Sequence, residues 1–280
     1  MTDPGGPLDG QAALDGKAVV VTGAGSGLGA AYAVAAAAAG ASVVCGDIDA
    51  AAAERTAATI GRAGGEAAAV RVDVADWADA AALIDACVTR YGALDGLVNN
   101  AGVVTVAPFA EETEQNLRRV IEVNLLGSAF CGIHALRQMT GRGAGSIVNV
   151  TSGSALGVAR LGAYSASKGG VTALTYAWAA EVAGTGVRVN AVSPNARTPL
   201  ADTLASAFPG VPAGTESPES NAAAAVHLLS DAAREINGQV FVTGGPALRR
   251  QSRPRIVELA RHGQWTPAGV AAAMSGRDGR

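Results

Sequence analysis

Charge is scarce in this chain. Only 16% of its 280 residues are Asp, Glu, Lys or Arg, and they nearly cancel to a net charge of −3. No global field of either sign is available to hold nucleic acid or an anionic membrane, so any phosphate the protein binds must be held locally. Cysteine is scarce too. Cys45, Cys87 and Cys131 are odd in number, far apart and set in apolar surroundings, which suits reduced core thiols in a cytoplasmic protein. No cysteine and histidine cluster has zinc-ligand spacing, and His134, His227 and His262 are isolated, so no metal is expected and the histidines read as helix-surface or packing residues. The start, Met1–Gln11, is rich in Gly, Pro and Asp and lacks an apolar stretch of signal-peptide type, so no secretory signal is expected and it reads as a flexible lead-in over residues 1–14. No internal repeat or low-complexity linker breaks the chain, apart from alanine richness such as Ala35–Ala39. The one long uncharged run, Ala18–Gly46, contains six glycines and changes from strand-like to helix-like midway, so it reads as buried core rather than a membrane span.

Hydrophobic residues make up 49% of the chain, enough for a sizeable core in one large α/β domain. Apolar runs at Ala18–Val21, Ser42–Gly46, Ala68–Val72, Gly96–Val98, Ser146–Val150, Val187–Val192 and Gln239–Val242 alternate with longer Ala/Leu-rich stretches. That alternation predicts a parallel sheet covered by helices on both faces. Helix starts carry caps: Asp49 before Ala50–Arg62, Asp76 before Trp77–Tyr91, and Ser217 with Pro218 at the first helical position. No composition shift occurs before about Pro246, so one domain over residues 15–245 is expected, followed by a tail over 246–280.

Val19-Val20-Val21 runs into Thr22-Gly23-Ala24-Gly25-Ser26-Gly27-Leu28-Gly29 and then into an alanine-rich helix. Glycines at a strand-to-helix handover permit a tight turn and let backbone N–H groups approach a pyrophosphate at the positive end of the helix dipole. Two registers fit, glycines at 23, 27 and 29 or G-x-G-x-x-A at 25, 27 and 30; the first starts one residue after the strand and is preferred. The next strand ends in Cys45-Gly46-Asp47-Ile48, where a carboxylate can accept hydrogen bonds from ribose hydroxyls and would repel a 2′-phosphate. No Lys or Arg lies in the turn or next to Asp47, so NAD is favoured over NADP.

Tyr164 and Lys168 are four residues apart on a helical stretch, which puts a phenol and an ammonium on one face. The cation is expected to favour phenolate and draw the phenol towards the range of efficient general acid/base catalysis. With Thr22-Gly23…Gly29, Asn99-Asn100-Ala101-Gly102, Asn124, Ser152 and Tyr164/Lys168 in order, residues of roughly 15–245 resemble the short-chain dehydrogenase/reductase family. The resemblance implies a doubly wound Rossmann fold with a seven-stranded parallel sheet, a nicotinamide cofactor and a homotetramer or homodimer. It implies catalysis by Asn124, Ser152, Tyr164 and Lys168. Ser152 would bind the substrate carbonyl, Tyr164 would move the proton, Lys168 would lower the tyrosine pKa and bind the nicotinamide ribose, and Asn124 would hold a relay water. The cofactor contacts it implies are Gly23, Ser26, Gly27, Leu28, Gly29, Asp47, Ile48, Asp73, Val74, Asn100, Ala101, Gly102, Tyr164, Lys168, Pro194 and Thr198, with Asp73-Val74 at the adenine and Thr198 at the carboxamide.

There are departures from the family pattern. The step from Ser152 to Tyr164 is one residue shorter than common, and Ser193-Pro194-Asn195 stands where Pro-Gly is usual. The Pro-Asn-Ala form and Gly-Gln-Trp-Thr-Pro-Ala at 263–268 are similar to the dehydrogenase part of multifunctional β-oxidation enzymes, which act on 3-hydroxyacyl-CoA. The expected activity is oxidation or reduction between a secondary alcohol and a ketone on a hydrophobic metabolite such as a 3-hydroxyacyl thioester or a steroid. A silent NAD-binding sensor and an NAD-retaining epimerase are the alternatives. Residues 200–216 are the expected substrate loop. Arg249, Arg250, Arg253, Arg255 and Arg261 form a basic tail, readable as a CoA phosphate site or as a solvated or subunit-crossing segment.

Overall fold

A computed structural model describes residues 13–207, 216–261 and 263–275. Most of the lead-in (1–12), much of the expected substrate loop (208–215) and His262 lie outside the described residues. The elements run β1 (Ala18–Thr22), α1 (Gly27–Ala38), β2 (Ser42–Asp47), α2 (Ala50–Arg62), β3 (Glu66–Arg71), α3 (Trp77–Tyr91), β4 (Gly96–Asn99), α4 (Glu114–Ile121), α5 (Gly127–Arg142), β5 (Gly145–Val150), α6 (Gly162–Glu181), β6 (Val187–Pro194), α7 (Pro199–Ala207), α8 (Pro218–Leu229), β7 (Val240–Thr243), β8 (Arg249–Gln251) and α9 (Pro267–Ser275).

The strands form one sheet in the order β3-β2-β1-β4-β5-β6-β7-β8. Seven are parallel, and the chain reverses direction across the sheet between β1 and β4, which opens a crevice at the carboxyl ends of the strands. The strand count is eight rather than the expected seven. β8 runs antiparallel to β7, with Phe241 opposite Arg250 and Val242 opposite Arg249. Three residues with two arginines carry no strand periodicity; the unpaired edge of β7 supplies the backbone partners that make them a strand.

Alternation along the strands divides the core in two. Val19 and Val21 of β1 pack with Tyr32, Ala33 and Ala36 of α1 and with Leu228 and Leu229 of α8. Val20 of the same strand points the other way, into a cluster with Leu83 and Ile84 of α3, Cys131 and Met139 of α5 and Trp178 of α6. Both faces of the sheet are covered, so its strands are continuously apolar rather than alternating in polarity. Burying each such valine stabilises the fold by about 1.5–3 kcal/mol, which is why a charge has no place in β1. The packed body already includes Leu14, which is fully buried and donates its N–H to the Ala39 carbonyl at 2.8 Å.

The caps form as local chemistry dictates. Asp49 accepts from the Ala52 N–H, Asp76 from Ala78 and Asp79, and Ser217 from Ser220. The uncharged run from Ala18 to Gly46 is β1, α1 and most of β2, and no helix among the described residues is long and apolar enough to cross a membrane. Between α4 and α5 the helix widens into a π turn over Glu122–Leu126, a feature the apolar run around Asn124 did not announce.

Candidate active site

A cleft of about 570 Å³ opens along the carboxyl ends of the strands. Gly23, Ser26, Gly27, Leu28, Asp47, Ile48, Asp73, Val74, Asn100, Ala101, Gly102, Ser152, Tyr164, Lys168, Pro194 and Thr198 all line it. Gly29 and Asn124 are not among the residues that line it.

The turn after β1 needs its glycines for close approach. Gly23 has φ +64°, and a Cβ there would lie 2.9 Å from the Ala101 Cα; one at Gly29 would overlap the Gly23 carbonyl. Gly25, which the preferred register passes over, is equally constrained: its N–H donates to Asp47 Oδ2 at 2.8 Å, and a Cβ would meet that oxygen. Gly23, Gly25 and Gly29 are thus all held by close neighbours. Asn100 ties the turn to β4, donating its backbone N–H to Thr22 Oγ1 at 3.0 Å and its side-chain amide to the Thr22 carbonyl at 3.0 Å. Helix α1 then starts at Gly27 with no side-chain cap from Ser26 and no acidic residue in its first turn. Uncapped N–H groups at a narrow, glycine-rich turn fit a pyrophosphate. Asp47 holds the turn from the end of β2, with Oδ1 also accepting the Asp49 N–H at 3.0 Å, and its remaining lone pairs face the cleft, a fit to ribose hydroxyls. Asp73 is fixed similarly, its Oδ1 accepting the Ala75 N–H and its own N–H donating to Asp79.

At the other end of the cleft Ser152 follows β5 in extended backbone and caps a short 3₁₀ turn, Gly153–Leu156. Its Oγ accepts from the Ser154 N–H at 3.2 Å and from the Ser154 hydroxyl at 2.9 Å. The neighbouring Thr151 hydroxyl is engaged with the Lys168 carbonyl and with Thr172, which leaves Ser152 as the hydroxyl in the cleft beside Tyr164. The short step between Ser152 and Tyr164 is spanned by that 3₁₀ turn and by Arg160, the one non-glycine residue at positive φ (66°) among the described residues. Its carbonyl accepts the Ala107 N–H, and its guanidinium donates to the Ala207 carbonyl at the end of α7.

Tyr164 and Lys168 lie on one face of α6, both buried, with the ammonium 5.8 Å from the phenol ring centroid. The expected lowering of the phenol pKa is not what this geometry produces. Burial pushes Tyr164 up to about 12, and hydrogen bonding with the Ser152 side chain opposes that only in part. Lys168, 3% exposed, is drawn down to about 8 by burial, and its Nζ donates to the Val150 carbonyl at 2.8 Å. Desolvation is the leading cause for both members of the pair. Tyr164 is thus held as a neutral phenol, a hydrogen-bond donor in the cleft.

Asn124 is fully buried inside the π turn. Its Oδ1 accepts the Val103 N–H at 2.8 Å, and its Nδ2 donates to the Val103 carbonyl at 2.9 Å and to Ser167 Oγ at 3.0 Å. Ser167 in turn donates to the Tyr164 carbonyl. The asparagine thereby fastens the segment after β4 to the helix that carries Tyr164 and Lys168. Such π turns gather at functional sites because the irregular backbone re-aims one side chain.

Asn195, standing where glycine is usual, is not at positive φ, so its backbone makes no demand for glycine. Its N–H donates to the Thr243 carbonyl at 2.9 Å and its carbonyl accepts from Asn221 at 3.3 Å. Thr198 Oγ1 accepts the Ala201 N–H, starting α7, so the first part of the expected loop is helical; Leu200, Ala201, Leu204 and Ala205 close the cleft from that side. Val72, Val103, Val123 and Arg119 also line the cleft and were not singled out by the sequence. Arg119 and Val123 share one side of their helix, but only the packing of that helix turns this side inward. The five tail arginines do not line the cleft. Arg253 donates to the Gly238 carbonyl and stacks 4.5 Å over Tyr176, and Arg261 pairs with Glu258 at 2.8 Å.

A doubly wound sheet with a glycine turn at its first strand, an acid at the end of the second and a serine, tyrosine and lysine at the far end of the cleft defines a dinucleotide-dependent oxidoreductase. Residues 17–207 match the family described as short chain dehydrogenase, and the chain belongs to that short-chain dehydrogenase/reductase family, NAD(P)-dependent enzymes acting on CH–OH groups. It is 44% identical over 238 residues to cis-4-hydroxycyclohexanecarboxylate dehydrogenase of Sinomonas cyclohexanicum, covering 82% of this chain and 95% of that protein. It is 39% identical to D-threitol dehydrogenase of Mycolicibacterium smegmatis, covering 85% and 95%. Among solved structures, a short chain dehydrogenase from Mycobacterium avium superposes with a TM-score of 0.81 at 38% identity over 94% of each chain.

Proposed function

We propose that the protein is an NAD-dependent dehydrogenase that interconverts a compact, largely apolar secondary alcohol, an alicyclic one in particular, with its ketone. The observation that carries this reading is the shared cleft: the Ser152 hydroxyl, the Tyr164 phenol and the Lys168 ammonium at one end, the bare glycine turn and Asp47 at the other. A bound nicotinamide supplies the hydride acceptor or donor, so the redox chemistry is the cofactor's. Ser152 and Tyr164 hold the substrate oxygen between two hydroxyl donors, where charge develops as the carbonyl is reduced. In reduction the neutral Tyr164 gives its proton to that oxygen; in oxidation Tyr164 must first lose its proton to solvent, and the phenolate then takes the proton of the alcohol. Asn124 keeps Val103 and α6 in register around that oxygen site. Asp47 favours NAD, because a 2′-phosphate would meet a carboxylate already fixed by two backbone N–H groups.

The substrate class is supported by the apolar wall of Val103, Val123, Leu200 and Leu204 and by the relative named for a hydroxycyclohexanecarboxylate. A 3-hydroxyacyl thioester is less well supported, since the basic tail is not brought to the cleft. Cytoplasmic location is part of the same reading, on three buried, unpaired cysteines. So is a homotetramer or homodimer, on the exposed Ile256, Val257 and Leu259 of the tail.

The test is a panel of secondary alcohols, 3-hydroxyacyl thioesters among them, assayed with NAD and with NADP on the wild type and on Tyr164→Phe. Alicyclic alcohols should reduce NAD in the wild type and not in the variant, with NAD affinity retained. Undiminished turnover by Tyr164→Phe rejects the proton-transfer role. Tight NAD binding without net NADH release on any alcohol favours the sensor or epimerase alternatives.

A further inference from the structure

Arg119 is an exposed cation on the wall of the cleft, and among the described residues it has neither an ion-pair nor a hydrogen-bond partner. Its neighbour Arg118 pairs with Glu114 at 2.7 Å, Arg142 pairs with Asp95 at 3.0 Å, and Arg197 approaches Asp202. Nor does Arg119 serve as a helix terminus charge. It lies in the last turn of α4, but the backbone continues helically through Glu122 into the π turn and α5, so no free carbonyl end is there to be neutralised. Arg119 makes no ion pair with the acids that share the cleft, Asp47 and Asp73, whose carboxylates accept backbone N–H groups.

Exposed Gln115 and Glu122 flank it along the helix, while the part of the cleft wall it shares is apolar. Val123, one turn on, lines the same cleft, Val120 beside it packs with Tyr164, Leu200 and Leu204, and Ala201 and Ala205 complete the side formed by α7. Apart from Lys168, which is buried on the Val150 carbonyl, Arg119 is the one cation among the described residues lining the cleft. The phosphates of a dinucleotide have a separate place, the uncapped start of α1, and Asp47 disfavours a further phosphate on the ribose.

Resting on the dehydrogenase reading above, we infer that Arg119 is a specificity-determining residue that pairs with a carboxylate carried by the substrate. The preferred substrate is then a hydroxy acid whose carbinol lies at Ser152 and Tyr164 and whose acid group reaches the cleft wall at Arg119. The guanidinium suits this task because its planar fork can grip both carboxylate oxygens.

The experiment compares wild type, Arg119→Met and Arg119→Lys, methionine keeping an apolar stem without charge. Three quantities are measured: kcat/KM for cis-4-hydroxycyclohexanecarboxylate and for neutral cyclohexanol, binding of cyclohexanecarboxylate to the NADH-loaded protein by calorimetry, and dissociation constants for NAD and NADP. Arg119→Met should lower kcat/KM for the acid roughly 10- to 100-fold, chiefly through KM, and weaken cyclohexanecarboxylate binding to a similar degree. Cyclohexanol turnover and NAD affinity should stay unchanged, and Arg119→Lys should recover part of the loss. Equal loss on both alcohols makes Arg119 a packing residue, and loss confined to NAD or NADP affinity makes it a cofactor contact; either overturns the inference, as does the absence of any change. If the wild type oxidises neither alcohol, the dehydrogenase reading fails on these substrates, and calorimetry still decides Arg119: no binding of cyclohexanecarboxylate by the wild type, or equal binding by Arg119→Met, overturns it.

Discussion

Replacing Lys168 with methionine is expected to change stability in a way that depends steeply on pH. The folded protein holds this ammonium at 3% exposure, and burial lowers its pKa from 10.5 to about 8. A depression of about 2.5, at about 1.4 kcal/mol for each pKa unit, corresponds to about 3 kcal/mol of folding free energy. The sign follows from proton binding. Between the folded and unfolded pKa values the unfolded chain holds more protons, so stability rises with pH across that window; below about 8 the cost of the buried charge is fully present, and above about 10.5 it is gone. Methionine has no charge to bury and fills a similar unbranched volume, but it leaves the Val150 carbonyl without the donor now at 2.8 Å, which costs about 1–3 kcal/mol at any pH. Near pH 7 the two effects offset, and Lys168→Met should match the wild type or exceed it by up to about 2 kcal/mol despite losing its activity. Raising the pH to about 10.5 should move the difference by about 3 kcal/mol in favour of the wild type. Urea unfolding of both proteins across this range measures the difference. The tyrosines and cysteines whose pKa values burial raises are common to both and cancel. A stability difference that stays flat with pH would refute a charged, desolvated Lys168.

Two further perturbations probe the other end of the cleft. Gly23→Ala forces a side chain into φ +64° and to within 2.9 Å of the Ala101 Cα, so it should lower stability by about 1–3 kcal/mol and abolish NAD binding, read by thermal melting and by fluorescence titration. A variant that binds NAD normally contradicts the close-approach role of the turn. Asp47→Ala frees the Gly25 N–H and removes the carboxylate from the cleft; NAD affinity should fall roughly 10-fold and the preference over NADP should narrow by a similar factor. An unchanged ratio of the two dissociation constants would mean that Asp47 does not discriminate between them.

The features legible in the sequence are those set by neighbours along the chain. Asp49, Asp76 and Ser217 cap the helices they precede because a cap needs only an N–H two or three residues ahead. Tyr164 and Lys168 share a face because 3.6 residues make a turn, and Gly23 and Gly29 could be placed because a strand, a tight turn and a helix follow one another directly. What escaped depends on contacts far apart in sequence. β8 exists because β7 offered an open edge, not because Arg249–Gln251 prefer an extended form. The π turn at Asn124 is held by bonds to Val103 and Ser167, 21 and 43 residues away.

Arg119 and Arg118 are identical residues side by side; the docking of α4 onto α6 sends one to the cleft wall and leaves the other paired with Glu114. The Tyr164/Lys168 pair shows the division most plainly. Its spacing was visible in a five-residue stretch, yet the direction of both pKa changes was not, because an adjacent charge can be read from sequence while desolvation is produced by the whole packed core around it.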